Sequence, residues 1–562
     1  MRVLRLLHAV ALAGSALALW PQPTSLKTGS TPLRLSPGFS ISVSVHDAPA
    51  DLTAAAQRTT AQLHSDKLAR LVVDRGASDA STVAHAKQLT SLKLSLAGGA
   101  KADSISAESV KPFESRDESY TLTVPSTGGT ATLTAKTTLG LFRGLTTFSQ
   151  IWYTVGNTVY TLSAPFEIED APAFPYRGFM LDTARHFFPV SDIERTLDAM
   201  SWVKINTFHW HIVDSQSFPF EIPGFTEIAQ KGAYSAAETY SPADVAHVVQ
   251  YAAARGIDVM AEIDTPGHTA IISESHPEHI ACPQATPWAT FANEPPAGQL
   301  RLASPATQNF TASLLTAAAK LFPSKLFSTG GDEINANCYT ADTETQQSLN
   351  SSGLTFEEAL SQFTVKTHKA IEALGKTPVV WEEMVLDHNV TLSNETIILV
   401  WISSDDALAV AQKGYRFVHA PSDYFYLDCG AGGWVGDFPS GNSWCEPFKT
   451  WQRAYTFDPF ASLSDTEASL VLGGQQLLWT EQSSPANLDS IVWPRAAASA
   501  ELFWNGPSNT TLAGKQSTNT GVETALPRLH ELAFRMQQRG VGAIALQPTW
   551  CAVRPGVCDL TA

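Results

Sequence analysis

From residue 176 onward, eight short apolar runs alternate with segments of helical spacing, and this alternation limits the fold more than any other feature. Strands that alternate with helices typically form parallel sheets. Eight such units predict an α/β fold with a (β/α)8 TIM barrel, in which active sites lie at the C-terminal ends of the strands. The eight runs are GFMLDTA (178–184), INTFHWHIV (205–213), DVMAEID (258–264), LFSTGGDE (326–333), PVVWEE (378–383), IILVW (397–401), RFVHA (416–420) and QQLLWTE (475–481).

Two of the intervening helices carry start signals. SDIERTLDAMSWVK begins with Ser191 and Glu194 at the spacing of a capping box. SPADVAHVVQYAAARG has Ser241 directly before Pro242 and ends at Gly256. Both patterns predict a helix that begins just after its serine.

The region before the barrel is patterned differently. SYTLTVPSTGGTATLTAKT (119–137) alternates apolar and polar residues around Gly128 and Gly129, which predicts a β-hairpin. LTAAAQRTTAQLHSDKLARLVV (52–73) and LGLFRGLTTFSQIW (139–152) have helical spacing. These elements predict a smaller α+β domain, joined to the barrel by the proline-broken segment EIEDAPAFPYRG.

The first residues, MRVLRLLHAVALAGSALALWPQP, have the pattern of a secretory signal peptide. Arg2 and Arg5 flank the start of an apolar run, and Ala16 and Ala18 have the A-x-A spacing of a cleavage site. A membrane anchor is the alternative, but the run is short for a bilayer and meets two prolines at once. The predicted parts are a signal peptide at 1–18, an α+β domain at 19–170, and the barrel with a C-terminal extension at 171–562.

Cysteines and glycosylation sequons agree with a secreted, extracellular protein. The spacings favour local pairs of Cys429 with Cys445 and of Cys551 with Cys558, which leaves Cys282 for Cys338; free buried thiols are the alternative. The N-x-S/T sequons lie at Asn309, Asn350, Asn389, Asn394 and Asn509.

Charge and composition exclude some partners and favour others. The 54 acidic residues exceed the 37 basic ones, and no Lys/Arg-rich run occurs, which argues against nucleic acid as a partner. No later stretch is apolar enough to predict a membrane span. The 14 tryptophans suit a site that stacks on sugar rings, although some must belong to the core.

Chemically capable residues gather at the predicted strand ends, as a barrel active site requires; scattered surface residues are the alternative. Asp332 and Glu333 are adjacent, and neighbours on an extended chain point to opposite faces, so they do not suit the usual facing pair of a glycosidase. The strand-end residues are Asp182, Arg185, His209, His211, Asp214, Glu262, Asp264, His268, Asp332, Glu333, Trp381, Glu382, Glu383, Trp401, Trp479 and Glu481.

Seven motifs between residues 174 and 504 resemble, in order, the family 20 glycoside hydrolases, which are β-N-acetylhexosaminidases. YFYLDCGAGGW and DSQSFP are most similar to secreted fungal members, and residues 19–170 resemble the α+β (chitobiase-like) domain that precedes the barrel in this family. The motifs are FPYRGFMLDTARHFFP, FHWHIVDSQSFP, AEIDTPGHT, STGGDEIN, VVWEE, GGQQLLWTEQ and VWPRAAASAELFW.

The resemblance implies an exo-acting, retaining enzyme that releases terminal β-linked GlcNAc or GalNAc from chito-oligosaccharides or glycans. In this family the substrate's own 2-acetamido carbonyl attacks C1 and forms an oxazolinium ion. Glu333 matches the general acid/base, and Asp332 matches the carboxylate that orients the acetamido N–H. The family uses no cofactor or metal, and its members commonly form homodimers.

The resemblance also assigns the remaining pocket residues. Tyr426 matches the hydrogen-bond donor to the acetamido oxygen, and a structural ion pair is the alternative for Arg177. The aromatic walls are Trp381, Trp401 and Trp479, the residues that hold the sugar hydroxyls are Arg177, Asp428 and Glu481, and the supporting residues are Asp214, Glu262 and His268.

The sequence departs from the family pattern at one position, and two rival functions are open to it. Ser215 stands where some animal members have a second acid, which leaves specificity at that edge open. A metal-dependent hydrolase would use His209 and His211 with Asp264 and His268, but it leaves the tryptophans unexplained. A sugar-binding protein on an inactive barrel is the second rival, and the presence of both acids argues against it.

Overall fold

The protein is described by a computed structural model that covers residues 18–99, 101–437, 439–508, 510–512, 515–519 and 521–560. Residues 1–17 of the predicted signal peptide and the sequon residue Asn509 lie outside the described residues.

The N-terminal domain is a six-stranded sheet that carries two long helices, Ala50–Ser65 and Thr138–Gln150. The predicted hairpin is confirmed, because β3 and β4 pair antiparallel. The first helix ends earlier than expected, since Lys67 takes a positive φ of 43° that a helix cannot continue through. The strands are β1 (Ser25–Val43), β2 (Lys87–Leu96), β3 (Tyr120–Val124), β4 (Gly129–Ala135), β5 (Tyr153–Val155) and β6 (Thr158–Asp170), in the spatial order β1-β2-β4-β3-β6-β5, with β1 also pairing β6.

Eight parallel strands close into the predicted barrel. Each strand pairs with the next one along the chain, and β14 closes the ring by pairing with β7. Asp332, Glu333 and Glu382 lie just beyond the strands at the C-terminal face, and Glu383 begins the short helix Glu383–Leu386 there. The strands are β7 (Tyr176–Asp182), β8 (Thr207–Val213), β9 (Asp258–Ile263), β10 (Leu326–Gly330), β11 (Thr377–Trp381), β12 (Ile397–Val400), β13 (Phe417–His419) and β14 (Val471–Leu478).

Helices surround the barrel and extend beyond it. Ser241 caps its helix as predicted. It does so in a capping box, in which Asp244 supplies the second half. The capping box predicted at Ser191 is wrong: that helix begins at Val190, and Glu194 bonds His247 instead. The longer helices are Val190–Trp202, Thr226–Gly232, Pro242–Ala253, Pro305–Ala319, Thr343–Ser352, Phe356–Glu372, Asp406–Gln412, Arg495–Asn505 and Val522–Gln538.

Buried ion pairs join the two domains beneath the barrel. Glu118 of the N-terminal domain accepts bonds from Arg143 and from Arg177 of β7, each at 2.7 Å. Burial alone would raise the pKa of Glu118, but the two guanidinium groups outweigh it and lower the pKa to about 2. The predicted linker is therefore not a loose connection; its first residues belong to β6, and the Ala173 N–H donates to the Trp504 carbonyl at 2.7 Å.

The three disulfides pair as predicted. Cys282 binds Cys338, Cys429 binds Cys445, and Cys551 binds Cys558. The sequon residues Asn309, Asn350, Asn389 and Asn394 are exposed. Among the helices within the described ranges, none is both long and apolar enough to cross a bilayer.

Candidate active site

A cavity of about 360 Å³ opens at the C-terminal face of the barrel. Its volume is near the lower end of the range typical of ligand pockets. It lies where the sequence places the active site of a barrel, and both Asp332 and Glu333 line it. The residues that line it include Arg185, His268, Trp288, Asn293, Glu294, Asp332, Glu333, Trp401, Tyr426, Asp428, Trp434, Trp444, Trp479 and Glu481.

A left-handed turn after β10 carries Asp332 and Glu333. Gly330 and Gly331 have φ values of 68° and 105°, and a Cβ at Gly330 would lie 1.8 Å from Asp264 Oδ1. Glycine is thus required there both by conformation and by space. Glu333 itself has a φ of 52°, a conformation that is costly for a residue with a side chain and that is typical of functional sites.

This turn brings the two adjacent carboxyls to one histidine. His268 Nε2 lies 3.4 Å from Glu333 Oε2 and 3.6 Å from Asp332 Oδ2. On an extended chain the two side chains would point apart. The backbone conformation at 330–333 therefore explains how two adjacent acids reach the same histidine.

Alternating charges extend from His268 into the barrel. His268 Nδ1 lies 3.1 Å from Asp214 Oδ1, and Asp214 Oδ2 lies 2.9 Å from His211 Nε2. His211 Nδ1 in turn contacts Glu262 at 2.5 Å, and Glu262 lies 3.1 Å from His209 Nε2. Each buried charge thus faces a partner of opposite sign, as stable burial of charges requires.

These contacts fix the protonation of both central histidines. Burial by itself lowers the pKa of an imidazole, but the facing carboxylates outweigh it. They raise the pKa of His211 to about 10 and the pKa of His268 well above its usual value. His268 is accordingly an imidazolium at neutral pH, with one N–H directed at Asp214 and the other at Asp332 and Glu333.

Asp332 has a second carboxyl beside it, that of Asp264. Burial is the main cause that raises the pKa of Asp264 to about 7 and the pKa of Asp332 well above its usual value, and their mutual repulsion adds to the rise at Asp332. Asp264 Oδ1 also accepts the Gly331 N–H at 2.8 Å, so it helps to hold the turn. Burial and Asp264 thus favour the neutral form of Asp332, whereas a positive charge beside Asp332 would favour its carboxylate.

Aromatic rings form one wall of the cavity. Trp401 and Tyr426 lie nearly parallel with their ring centroids 6.1 Å apart, and Tyr426 lies 6.4 Å from Trp479. Trp381 is wholly buried behind Trp479, at 6.1 Å, and stays outside the lining. Glu383 accepts the Trp401 Nε1–H at 2.9 Å, which fixes the orientation of that ring.

The prediction that Arg177 holds a sugar is wrong. Arg177 lies near the N-terminal end of β7, its side chain is 0% exposed, and it binds Glu118 at the domain junction. The alternative, a structural ion pair, is the one that the structure supports. Its position in the strand was the available signal, because pocket residues of a barrel follow the C-terminal strand ends.

Arg185 is the arginine that reaches the cavity. It follows the C-terminal end of β7, and its guanidinium contacts Asp214 at 2.9 Å, hydrogen-bonds Glu294 and lies 4.0 Å from Glu481. It also lies 5.1 Å from the centroid of the Trp479 ring, a cation–π distance. Although burial opposes the charge, these carboxylates raise the pKa of Arg185 well above its usual value.

The remaining predicted residues divide between the wall and its support. Asp428 and Glu481 line the cavity, and burial raises the pKa of Asp428 to about 7 and that of Glu481 well above its usual value. Asp214 and Glu262 lie behind the wall, within the charged chain. Ser215 donates its backbone N–H to Asp214, so this departure from the animal sequences leaves the chain intact.

Several lining residues were missed by the sequence reasoning. They lie on two long connecting segments, 264–304 and the described residues 429–437 and 439–448, whose sequences have no periodic pattern to reveal their position. The available signal was the cysteines, since Cys282 joins the first segment to Cys338, shortly after Glu333, and Cys445 itself lines the cavity. The missed residues are Trp288, Asn293, Glu294, Trp434 and Trp444.

The residues of the rival metal site do not form one cluster. His211 and Asp264 lie in a buried group with Glu262, whereas His268 and Asp264 lie in another with Asp332. His209 is fully buried, and its ring contacts Glu262 and Gln475. His209 and His211 thus both contact Glu262.

Profiles of two protein families match this chain. The profile of the catalytic domain of glycosyl hydrolase family 20 matches residues 174–507, and a profile described as beta-acetyl hexosaminidase like matches residues 19–151.

Individual relatives agree with the profiles. A beta-hexosaminidase of Arthroderma benhamiae is 33% identical, over 80% of this chain and 76% of its own. A chitooligosaccharidolytic beta-N-acetylglucosaminidase of Bombyx mori is 35% identical, over 79% and 75%. The solved structure of Flavobacterium johnsoniae chitobiase has a TM-score of 0.73 at 26% identity, covering 93% of this chain and 73% of that one.

The Gly330→Ala substitution tests the turn that holds the pair. The added Cβ would overlap Asp264, so we expect activity to be lost and the free energy of unfolding to fall by more than about 2 kcal/mol. Gly353→Ala is the matched control, since Gly353 has a similar φ of 71° but nothing within 4 Å of the added Cβ. It should cost about 1 kcal/mol and leave kcat unchanged. Denaturant unfolding and kcat measure both effects, and equal behaviour of the two variants would contradict the proposed role of the turn.

Proposed function

The chain belongs to glycosyl hydrolase family 20, and from that premise we propose that Glu333 and Asp332 carry out its chemistry. The protein is a β-N-acetylhexosaminidase, an exo-acting glycoside hydrolase that retains the configuration at C1. The observation that carries the assignment of residues is the meeting of both carboxyls at His268 beside an aromatic wall.

Glu333 acts as the general acid and then as the general base. Its side chain is 27% exposed and lines the cavity, so it can reach a leaving-group oxygen. When Glu333 gives up its proton, a carboxylate forms 3.4 Å from the His268 imidazolium, and that charge is stabilised at once. The same carboxylate then takes a proton from the water that attacks C1.

Asp332 acts on the substrate's acetamido group. Its side chain is only 8% exposed, beside the rings that exclude water from the pocket. As the acetamido oxygen attacks C1, the acetamido nitrogen becomes positive, and a buried carboxylate stabilises that charge strongly. The nucleophile thus belongs to the sugar, which explains why two adjacent acids suffice.

The aromatic wall and Tyr426 hold the internal nucleophile in position. Trp401 and Trp479 enclose the acetamido methyl group, with Trp381 supporting Trp479 from behind. The Tyr426 hydroxyl donates to the acetamido oxygen and aligns it with C1. Positioning of this kind lowers the activation barrier for the intramolecular attack.

Arg185, Asp428 and Glu481 bind the hydroxyls of the terminal sugar. All three line the same side of the cavity, and their charges and carboxyl groups offer several hydrogen bonds to a non-reducing end. Asp214 and Glu262 support the site through the two histidines. Hydrogen bonds to the hydroxyls of a non-reducing end are in keeping with removal of single terminal sugars.

We propose chito-oligosaccharides as the natural substrates. Relatives from Bombyx mori and Ostrinia furnacalis are named chitooligosaccharidolytic. Trp444 is 65% exposed at the cavity, which gives a further sugar ring a surface on which to stack. GalNAc release and activity on other glycans belong to the same proposal.

We propose that the protein is exported from the cell. Homodimerisation stays a prediction of the family resemblance. Three disulfides and four exposed sequon residues are compatible with an extracellular location. The domain boundaries at residues 18 and 170 also remain proposals.

Leaving-group dependence separates the roles of the two acids. Glu333→Gln should depress kcat strongly for a poor leaving group such as methylumbelliferone, but much less for dinitrophenol, which departs without protonation. Asp332→Asn should lower kcat by about 100-fold for both, because Asp332 stabilises the charge on the acetamido nitrogen whichever group leaves. Steady-state kinetics on the two aryl N-acetylglucosaminides measure this. If the deficit of Asp332→Asn varied with leaving group as that of Glu333→Gln does, the assignment would be overturned.

Matched lysine substitutions distinguish the two arginines. Arg185→Lys keeps a positive charge beside Asp214 but loses the planar fork, so kcat/KM for the aryl N-acetylglucosaminide should fall by about tenfold or more. Arg177→Lys should leave kcat/KM of the folded protein nearly unchanged and lower its Tm instead, because Arg177 bonds the domain junction. Loss of kcat/KM in Arg177→Lys with unaltered Tm would contradict this division.

A further inference from the structure

A cluster of two histidines and two glutamates lies apart from the residues that line the active-site cavity. His276, Glu278 and His279 occur in the sequence HPEH, on a short 3-10 turn at Pro277–His279. One nitrogen or oxygen atom from each of the three lies within 4.8 Å of the other two. Glu227, on the helix Thr226–Gly232, adds a fourth polar group.

We infer that His276, Glu278 and His279 bind one divalent transition-metal ion, with zinc the best suited. Two imidazoles and one carboxylate form a ligand set that zinc commonly takes, with a water completing the tetrahedron. The inference concerns a site separate from the catalytic residues, so it does not depend on the proposed function.

One ring nitrogen of each histidine already faces the Glu278 carboxylate. Glu278 Oε1 lies 3.3 Å from His276 Nδ1 and 3.9 Å from His279 Nε2. Ligand atoms around zinc lie about 3.3 Å apart, given bonds of about 2.0–2.1 Å in a tetrahedron. The three side chains thus need only a small inward movement, and the 61% exposed Glu278 side chain is free enough to make most of it.

The outer nitrogen of each imidazole has its own partner. His276 Nε2 lies 3.1 Å from Glu227 Oε1, and His279 Nδ1 lies 3.1 Å from Thr307 Oγ1. In metal sites the second ring nitrogen is almost always held by such a carboxylate or hydroxyl, which fixes the ring and the tautomer. Each ring therefore has one nitrogen held from outside and the other directed at Glu278.

The rings themselves are held by packing. Phe310 lies with its centroid 4.2 Å from that of His279 and 4.9 Å from that of His276. The His276 and His279 side chains are 22% and 12% exposed, so their orientations are constrained before any ion arrives. Preorganised ligands lose less entropy on binding than mobile surface side chains do.

The local charge also suits a cation. Glu227 and Glu278 place two carboxylates beside the two imidazoles. Arg301 donates to the Glu278 carbonyl, but its guanidinium is paired with Asp342 at 3.1 Å and with Glu344 at 3.0 Å. The contact of Glu227 with His276 joins its helix to the loop that carries the three ligands.

Calorimetric titration with zinc chloride tests the site on the full protein after chelator treatment and buffer exchange. Wild type should bind zinc, and zinc should raise its Tm. His276→Gln and His279→Gln should each weaken this binding by about tenfold or more, and Glu227→Gln by about tenfold through loss of ring orientation. His247→Gln is the matched control, because His247 is also paired with a carboxylate, Glu194, at 2.7 Å but lies outside the cluster. It should bind as wild type does.

Hydrolysis of an aryl N-acetylglucosaminide by each variant verifies its folding, since none of these residues lines the cavity. If His279→Gln fails to fold because its ring packs on Phe310, the exposed Glu278→Gln variant decides, and it should also bind zinc at least about tenfold more weakly. The inference is overturned if wild type does not bind zinc, or if the folded cluster variants bind it as tightly as wild type.

Discussion

The imidazolium of His268 is the contact on which the site depends. It lies within 3.6 Å of the carboxyls of both Asp332 and Glu333, and it remains protonated because Asp214 faces its other nitrogen. Asp214 is in turn paired with Arg185 and His211, so the charge that reaches the cavity is supported by a chain of buried partners. No member of this chain acts alone, and removal of one would leave an unpaired charge inside the barrel.

The fold supplies this chain from successive strands. β8 carries His209 and His211, β9 carries Glu262, and the turn after β10 carries Asp332 and Glu333. Parallel pairing places their C-terminal ends side by side, as in the register of His211 with Glu262. The N-terminal domain stabilises the opposite end, where Glu118 accepts bonds from both Arg143 and Arg177. The barrel therefore buries charge at both ends, and at each end the charges are paired.

Much of this could be predicted from sequence because it rests on local patterns. The apolar runs located all eight strands, and spacing located the disulfides, since short separations favour local pairs. The adjacent acids could be named but not placed, because their meeting at His268 depends on positive φ angles at Gly330, Gly331 and Glu333. Arg177 and Arg185 were confused because a motif records order along a strand, whereas the pocket takes only its C-terminal end. Glu294 and Trp444 were missed because they lie on irregular loops whose course depends on tertiary contacts.

The central claim is that the sugar supplies its own nucleophile, and it is tested most directly by kcat for three dinitrophenyl glycosides at saturation. These are the β-N-acetylglucosaminide, its N-trifluoroacetyl analogue and the β-glucoside. The analogue occupies nearly the same space, but its carbonyl oxygen is a weaker nucleophile. The account predicts a large fall in kcat from acetyl to trifluoroacetyl and hydrolysis of the glucoside at least about a thousandfold slower. Comparable kcat values for the three glycosides would contradict it.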